Sequence, residues 1–174
     1  MRTVATNLTG ITIRFAQPED VGTILAFIKA LAEFEKLSHE VSATPETLRK
    51  TLFGERPAAE VLLAEDRGDA VAFALFFGNY STFLARPGIY LEDLFVHPPY
   101  RGRGIGTALI TYLARLAVER GCGRLEWSVL DWNAPAIKVY QALGAVPLKE
   151  WVGQRVTGGA LTALARRFDD EFAG

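Results

Sequence analysis

One cysteine, one methionine and two histidines occur in 174 residues. With Cys122 alone, no disulfide closes within the chain and no thiolate cluster holds zinc. A lone thiol beside glycines reads as a small apolar residue rather than a nucleophile. His39 and His97 are too few and too separate to suggest a metal site, so no metal is expected. No apolar run reaches the roughly 18–20 residues of a membrane span. The first residues carry Arg2 but neither the apolar stretch nor the cleavage pattern of a secretory signal. The expectation is a cytoplasmic protein with no membrane partner. An excess of one charge is also missing: 19 Lys and Arg face 20 Asp and Glu, a net charge of −1. No global field draws such a chain to nucleic acid, which is not expected as a partner.

What is present is an ordinary globular composition, 49% hydrophobic and 22% charged. The length suits one domain with a full core. Residues 1–10 are polar and unpatterned and read as a flexible arm, leaving residues 11–174 as a single domain.

The most informative stretch runs from Leu94, Phe95 and Val96 through His97-Pro98-Pro99 to Tyr100-Arg101-Gly102-Arg103-Gly104-Ile105-Gly106-Thr107. A β-prone run ends at two prolines, a glycine-rich loop follows, and a helix begins at once. Ile105, Ala108, Leu109, Tyr112, Leu113, Leu116 and Ala117 recur at helical spacing. Strand, glycine turn and helix N-terminus together favour an anion, because N–H groups approach closely and the helix dipole is positive there. Arg101 and Arg103 add charge. A Walker loop needs a lysine that Ile105-Gly106-Thr107 lacks, and the glycine spacing is not that of a dinucleotide fingerprint. The alternative is a tight strand-to-helix turn with solvated arginines.

Residues 11–15 alternate as a strand, and Pro18 with Glu19 and Asp20 starts a helix whose stripe is Val21, Ile24, Leu25, Ile28, Leu31 and Ala32. Thr44-Pro45-Glu46-Thr47 caps a second helix ending near Gly54. Residues 60–65 and 70–77 read as a hairpin about Asp66-Arg67-Gly68-Asp69. Strands at 88–96 and 124–130 flank the glycine-loop helix, and a further helix runs from about Ala134 to Leu143, closed by Gly144. Two short strands at 146–151 and 154–157 and a terminal helical segment complete the expectation. The fold class is α/β (α+β), with a mixed sheet that is antiparallel at first and parallel around the glycine loop, in the order βααββββαβαββ.

Asn133 is placed to cap the helix at Ala134, and Tyr140 lies nearly two turns further along one face. Each also reads blandly, as a cap alone and as a core aromatic with its hydroxyl at the rim. Glu92 and Asp93 are adjacent on an apolar strand, so alternation sends them to opposite faces. Buried carboxylates need partners and carry raised pKa values, which suits base work.

Arg101, Gly104 and Gly106 fit the Arg/Gln-x-x-Gly-x-Gly/Ala pattern of the GNAT N-acetyltransferase superfamily, which this chain resembles. The blocks Leu31-Ala32-Glu33-Phe34-Glu35-Lys36-Leu37-Ser38, Tyr90-Leu91-Glu92-Asp93, Val129-Leu130-Asp131-Trp132-Asn133 and Tyr140-Gln141-Ala142-Leu143-Gly144-Ala145 resemble its diamine (spermidine/spermine) and thialysine N-acetyltransferase branch. The resemblance covers about residues 11–165 and implies the GNAT fold with splayed parallel strands.

It implies an enzyme that moves acetyl from acetyl-CoA to a small cationic amine by direct attack, working as a homodimer. By the same resemblance Glu92 is the general base through water and Tyr140 the general acid. Glu33, Glu35, Glu92 and Asp93 bind the cationic acceptor. Leu94, Phe95 and Val96 pair with the pantetheine arm, helped by Asn133 and Tyr140. Arg101, Gly102, Arg103, Gly104, Ile105, Gly106 and Thr107 hold the pyrophosphate. Residues 78–87 and 151–159 depart from the branch. Acetylation of a protein N-terminus or an antibiotic, and a non-catalytic acyl-CoA-binding module, are the alternatives.

Overall fold

The alternation in Ile11–Phe15 does form a strand, β2, with Ile11 and Ile13 each 2% exposed. In this computed structural model, which describes residues 3–173, it is one of six strands. The others are β1 (Thr3–Ala5), β3 (Glu60–Asp66), β4 (Asp69–Ser81), β5 (Arg86–Val96) and β6 (Leu125–Trp127). They lie in sequential order in one sheet, antiparallel except for the last pair, β5 and β6, which is parallel. Arg67 and Gly68 both have positive φ, 54° and 99°, giving β3 and β4 the tight turn whose twist suits a hairpin.

By their internal contacts the described residues fall into two compact units, which divide between Asn133 and Ala134. In the first unit, α1 (Val21–Phe34) and α2 (Pro45–Phe53) cover one sheet face. Val21, Ile24, Phe27, Leu48 and Leu52 meet Val61, Leu63, Phe73 and Phe95 there. Phe27 and Phe73 stack with centroids 5.4 Å apart, and truncating either to alanine should cost about 3–5 kcal/mol. Alternation turns Leu62, Ala72, Ala74 and Phe76 to the other face, where α3 (Ile105–Glu119) packs against β3, β4 and β5. Arg14 ties the start of α1 to the sheet: it donates to both Asp20 carboxylate oxygens at 2.7 and 2.9 Å and to Glu65 at 2.7 Å.

Four sequence expectations are corrected. Thr3–Ala5, within the expected arm, pairs with β2, because Thr-Val-Ala is β-compatible and β2 has an open edge. Met1 and Arg2 of that arm, and Gly174, lie outside the described residues. The long strands β4 and β5 run past their expected ends, to Ser81 and back to Arg86, and Ala85 takes φ 50° in the turn. Three strands, not four, stand between α2 and α3. The two strands expected at 146–151 and 154–157 do not form. Pro147 lacks a ladder donor and Gly153 weakens strand propensity, so neither stretch holds a pairing partner.

The second unit contains α4 (Ala134–Ala142) and α5 (Gly158–Glu171). Gly144, at φ 89°, follows α4, and Ala145 N–H donates back to the Tyr140 carbonyl at 3.0 Å.

Candidate functional site

Strand β5 changes register against β4 in the middle of the acidic pair. Asp93 lies opposite Leu75 and Leu91 opposite Phe76, so Glu92 is an extra residue with no partner on β4. This β-bulge interrupts the strict alternation expected for the two acids. On its other side β5 pairs with β6 only at Ile89, Tyr90 and Leu91. Beyond that, Leu94, Phe95 and Val96 present a backbone edge that no described strand covers. An extended ligand can pair with such an edge as an added strand. Gly106 lies against this edge: a Cβ on it would make ordinary van der Waals contact with Val96 Cγ2, at 3.6 Å.

The glycine loop follows directly. Gly102 and Gly104 have φ of 74° and 82°, the left-handed region that costs glycine nothing. The N–H groups of Gly102, Arg103, Gly104, Ile105, Gly106 and Thr107 donate to no acceptor among the described residues. The first intrahelical bond is from Ala108 N–H to the Gly104 carbonyl, 2.9 Å. Nothing lies within 4 Å of where a Gly102 side chain would begin. Unpaired donors, an open approach and the positive end of a 15-residue helix fit a pyrophosphate. Arg101 lies over the rings of Phe34 and Phe95, 5.0 and 5.5 Å from their centroids, and its Nε donates to the Val96 carbonyl at 3.0 Å. Arg103 sits over Tyr100 at 5.2 Å and reaches Asp66 at 3.4 Å.

Of the four acids expected at the acceptor end, three come together. Burial pushes the Asp93 carboxyl up to about 6, and the negative charges of Glu92 and Glu35 add to the shift. Glu35, the C-cap of α1, is itself raised by partial burial. None of the three has a basic partner among the described residues. Glu33 is exposed and is joined to Asp93 by no contact among them.

Asn133 directly precedes α4, and its N–H donates to the Leu130 carbonyl at 2.9 Å. Tyr140 belongs to the second unit, where burial raises its hydroxyl above the ordinary phenol value. Among the described residues no group of three metal-ligating side chains is gathered, and no helix is long and apolar enough to cross a membrane.

Sequence reasoning missed Phe34 and Trp132, which pack together with centroids 5.9 Å apart beside Arg101. The available signal was an aromatic flanked by Glu33 and Glu35 at a helix end, where a solvent-facing position would normally be polar.

The model of the Acetyltransferase (GNAT) family matches residues 25–145. The thialysine N-epsilon-acetyltransferase of Mus musculus is 43% identical over 166 residues, spanning 89% of this chain and 97% of that protein. The L-ornithine N5-acetyltransferase of Arabidopsis thaliana is 39% identical, spanning 87% of this chain and 86% of its own. Among solved structures, an integron cassette protein from the mobile metagenome of V. cholerae superposes with a TM-score of 0.77 at 25% identity, covering 91% of this chain and 99% of that one. A glycine loop opening α3, a bulged β5 with a free edge and a family match across most of the chain agree: this chain is an acetyltransferase and belongs to the GNAT family.

Proposed function

We propose that the chain transfers the acetyl group of acetyl-CoA to a primary amine of a small cationic acceptor, a diamine, polyamine or lysine-like amine, by direct attack. The observation that carries this reading is the gathering of Glu35, Glu92 and Asp93 at the β5 bulge without a basic partner among the described residues. Uncompensated carboxylates beside an open strand edge attract a cation. The relatives named for thialysine and ornithine support it, since both compounds carry a primary amine.

An alkylammonium titrates near ~10 and is not a nucleophile until it loses a proton. Exposed Glu92 takes that proton through water. Asp93, raised toward neutral pH, holds the ammonium and shares the proton. Acetyl-CoA, when bound, supplies the activated acetyl group as a thioester. The N–H groups of residues 102–107, with Arg101 and Arg103, hold its pyrophosphate, while Leu94, Phe95, Val96 and Asn133 align its arm. Tyr140 carries its hydroxyl proton at neutral pH, as a phenol does and with burial acting in the same direction, and donates it to the leaving sulfur. Each proton transfer is worth roughly 10²–10⁴-fold.

Residues 11–174 act as one catalytic domain in this reading, supported by a family match that runs from one compact unit into the other. A homodimer, a cytoplasmic setting and the absence of nucleic-acid, membrane and metal partners belong to the same proposal. Sedimentation checks the dimer. The deciding experiment is an amine panel with acetyl-CoA. Thialysine, ornithine, lysine and spermidine should turn over with the highest kcat/KM. A peptide N-terminus or an aminoglycoside as the best acceptor would refute the acceptor class, and cofactor binding with no turnover would refute the enzyme.

A further inference from the structure

We infer that Phe34 is a positioning residue for Arg101, and that through it the acceptor-side acids and the anion-binding loop are energetically coupled. The inference rests on the acetyl-CoA reading above. Arginine side chains lose much rotamer freedom when they grip an anion. Arg101 is held without one. Its guanidinium lies 5.0 Å from the Phe34 centroid and 5.5 Å from that of Phe95, and its Nε donates to the Val96 carbonyl at 3.0 Å. Its Nη1 and Nη2 donate to no acceptor among the described residues, so the bidentate end of the fork is presented and free.

The two rings differ in kind. Phe95 is core, 4% exposed, and packs 5.9 Å from Phe27. Phe34 is 41% exposed at the last position of α1 and leans on Trp132, 53% exposed, in the loop after β6. Phe34 is therefore the movable wall of the clamp. Its chain neighbour Glu35 is one of the charges that acts on Asp93. An amine seated on those acids fixes the end of α1, which fixes Phe34, which holds Arg101 in its anion-ready pose. Linkage then requires the effect to run both ways: each substrate raises the affinity for the other by one factor.

The test measures CoA binding by titration calorimetry, with melting curves to confirm folding. Phe34→Leu keeps apolar bulk but removes the π face, and it should weaken CoA about fivefold. Phe34→Tyr keeps the face and should bind within about twofold of the parent. In an Arg101→Ala background, Phe34→Leu should have no further effect, since the coupled partner is gone. Saturating spermidine should tighten CoA in the parent and not in Phe34→Leu. A parent that does not bind CoA overturns the acetyl-CoA reading. A parent that binds CoA, with Phe34→Leu unchanged or equally weakening in both backgrounds, overturns this inference alone. A loss in Phe34→Tyr equal to that in Phe34→Leu also overturns it, because bulk rather than the ring face would then be decisive.

Discussion

Asn79 on β4 donates through Nδ2 to Glu126 Oε2 on β6 at 2.8 Å, a bond that crosses the intervening strand β5. It can cross because the residue beneath it is Gly88, which lies opposite Asn79 and has no side chain. Arg124 completes the clasp, 2.7 Å from Glu126 and donating to the Tyr80 carbonyl at 3.3 Å. Two residues further along, the Tyr90 and Ser128 hydroxyls meet at 2.6 Å. These ties hold the short parallel pair together just where the bulge of β5 begins.

Gly88→Ala should break the clasp. Its Cβ would collide with Asn79 Oδ1 and come within 2.9 Å of Arg124 Cγ. Overpacking of this kind costs about 1–3 kcal/mol. Asn79→Ser, which shortens the colliding side chain, should recover part of the loss in the Gly88→Ala background. Chemical denaturation of the two single variants and the double variant checks this, and an unchanged midpoint in Gly88→Ala would refute it.

Asp93 links stability to pH in a direction opposite to that of a salt-bridged acid. Its carboxyl is raised from 3.8 to about 6 in the folded protein, by burial first and then by Glu92 and Glu35. The folded state therefore binds the proton more tightly than the unfolded state. Stability falls as pH rises from about 4 to about 6, and the full penalty persists above that. Asp93→Asn should raise stability at pH 7.5 by about 2 kcal/mol and leave it unchanged near pH 3.5. The same variant should lose at least about tenfold in kcat/KM for a cationic amine, because it no longer supplies a charge. Melting curves at the two pH values, beside the kinetics, test both halves. A variant less stable at pH 7.5 would mean that Asp93 is stabilised by a partner.

Helix α3 was readable because its apolar residues repeat at 3.6 spacing and nothing competes with them. The glycine loop was readable because its glycines stand where the backbone turns left-handed. The bulge at Glu92 was not, since period-two alternation carries no mark for one inserted residue, and Glu92-Asp93 satisfied the pattern in either register. Phe34 escaped notice for a related reason. It reads as the fraying end of an apolar stripe, and its partners Arg101 and Trp132 are distant in sequence. The strands expected after Gly144 failed because short apolar runs carry no information about a pairing neighbour.

Gly104→Val tests the loop, and its effect has two separable parts. A β-branched residue at φ 82° costs about 1–3 kcal/mol of strain even though the nearest atoms, in Leu8, stand 3.7 Å from the new Cβ. It also places a side chain beside the unpaired N–H groups. Gly121→Ala is the matched control: φ is 69°, nothing lies within 4 Å, and the position is outside the loop. Both variants should melt earlier than the parent. Acetyl-CoA should still raise the melting temperature of Gly121→Ala by the parental amount, and should raise that of Gly104→Val far less. Equal shifts in all three proteins would remove the loop from cofactor binding.

Tyr140→Phe isolates the proposed acid. The change keeps the ring and removes one oxygen, so packing within α4 is preserved. A phenol is protonated throughout the working range, and burial of this hydroxyl acts in the same direction. Its removal should lower kcat about 10²-fold or more, with CoA affinity nearly unchanged. Asn133→Ala should show the converse, weaker CoA binding with a smaller change in kcat, since a group that aligns the cofactor acts before the chemistry. Steady-state rates and CoA titration of both variants separate the roles. Full activity in Tyr140→Phe would show that the sulfur leaves without this proton or takes it from another group. The buried hydroxyl would then be a packing feature of the second unit rather than part of the mechanism.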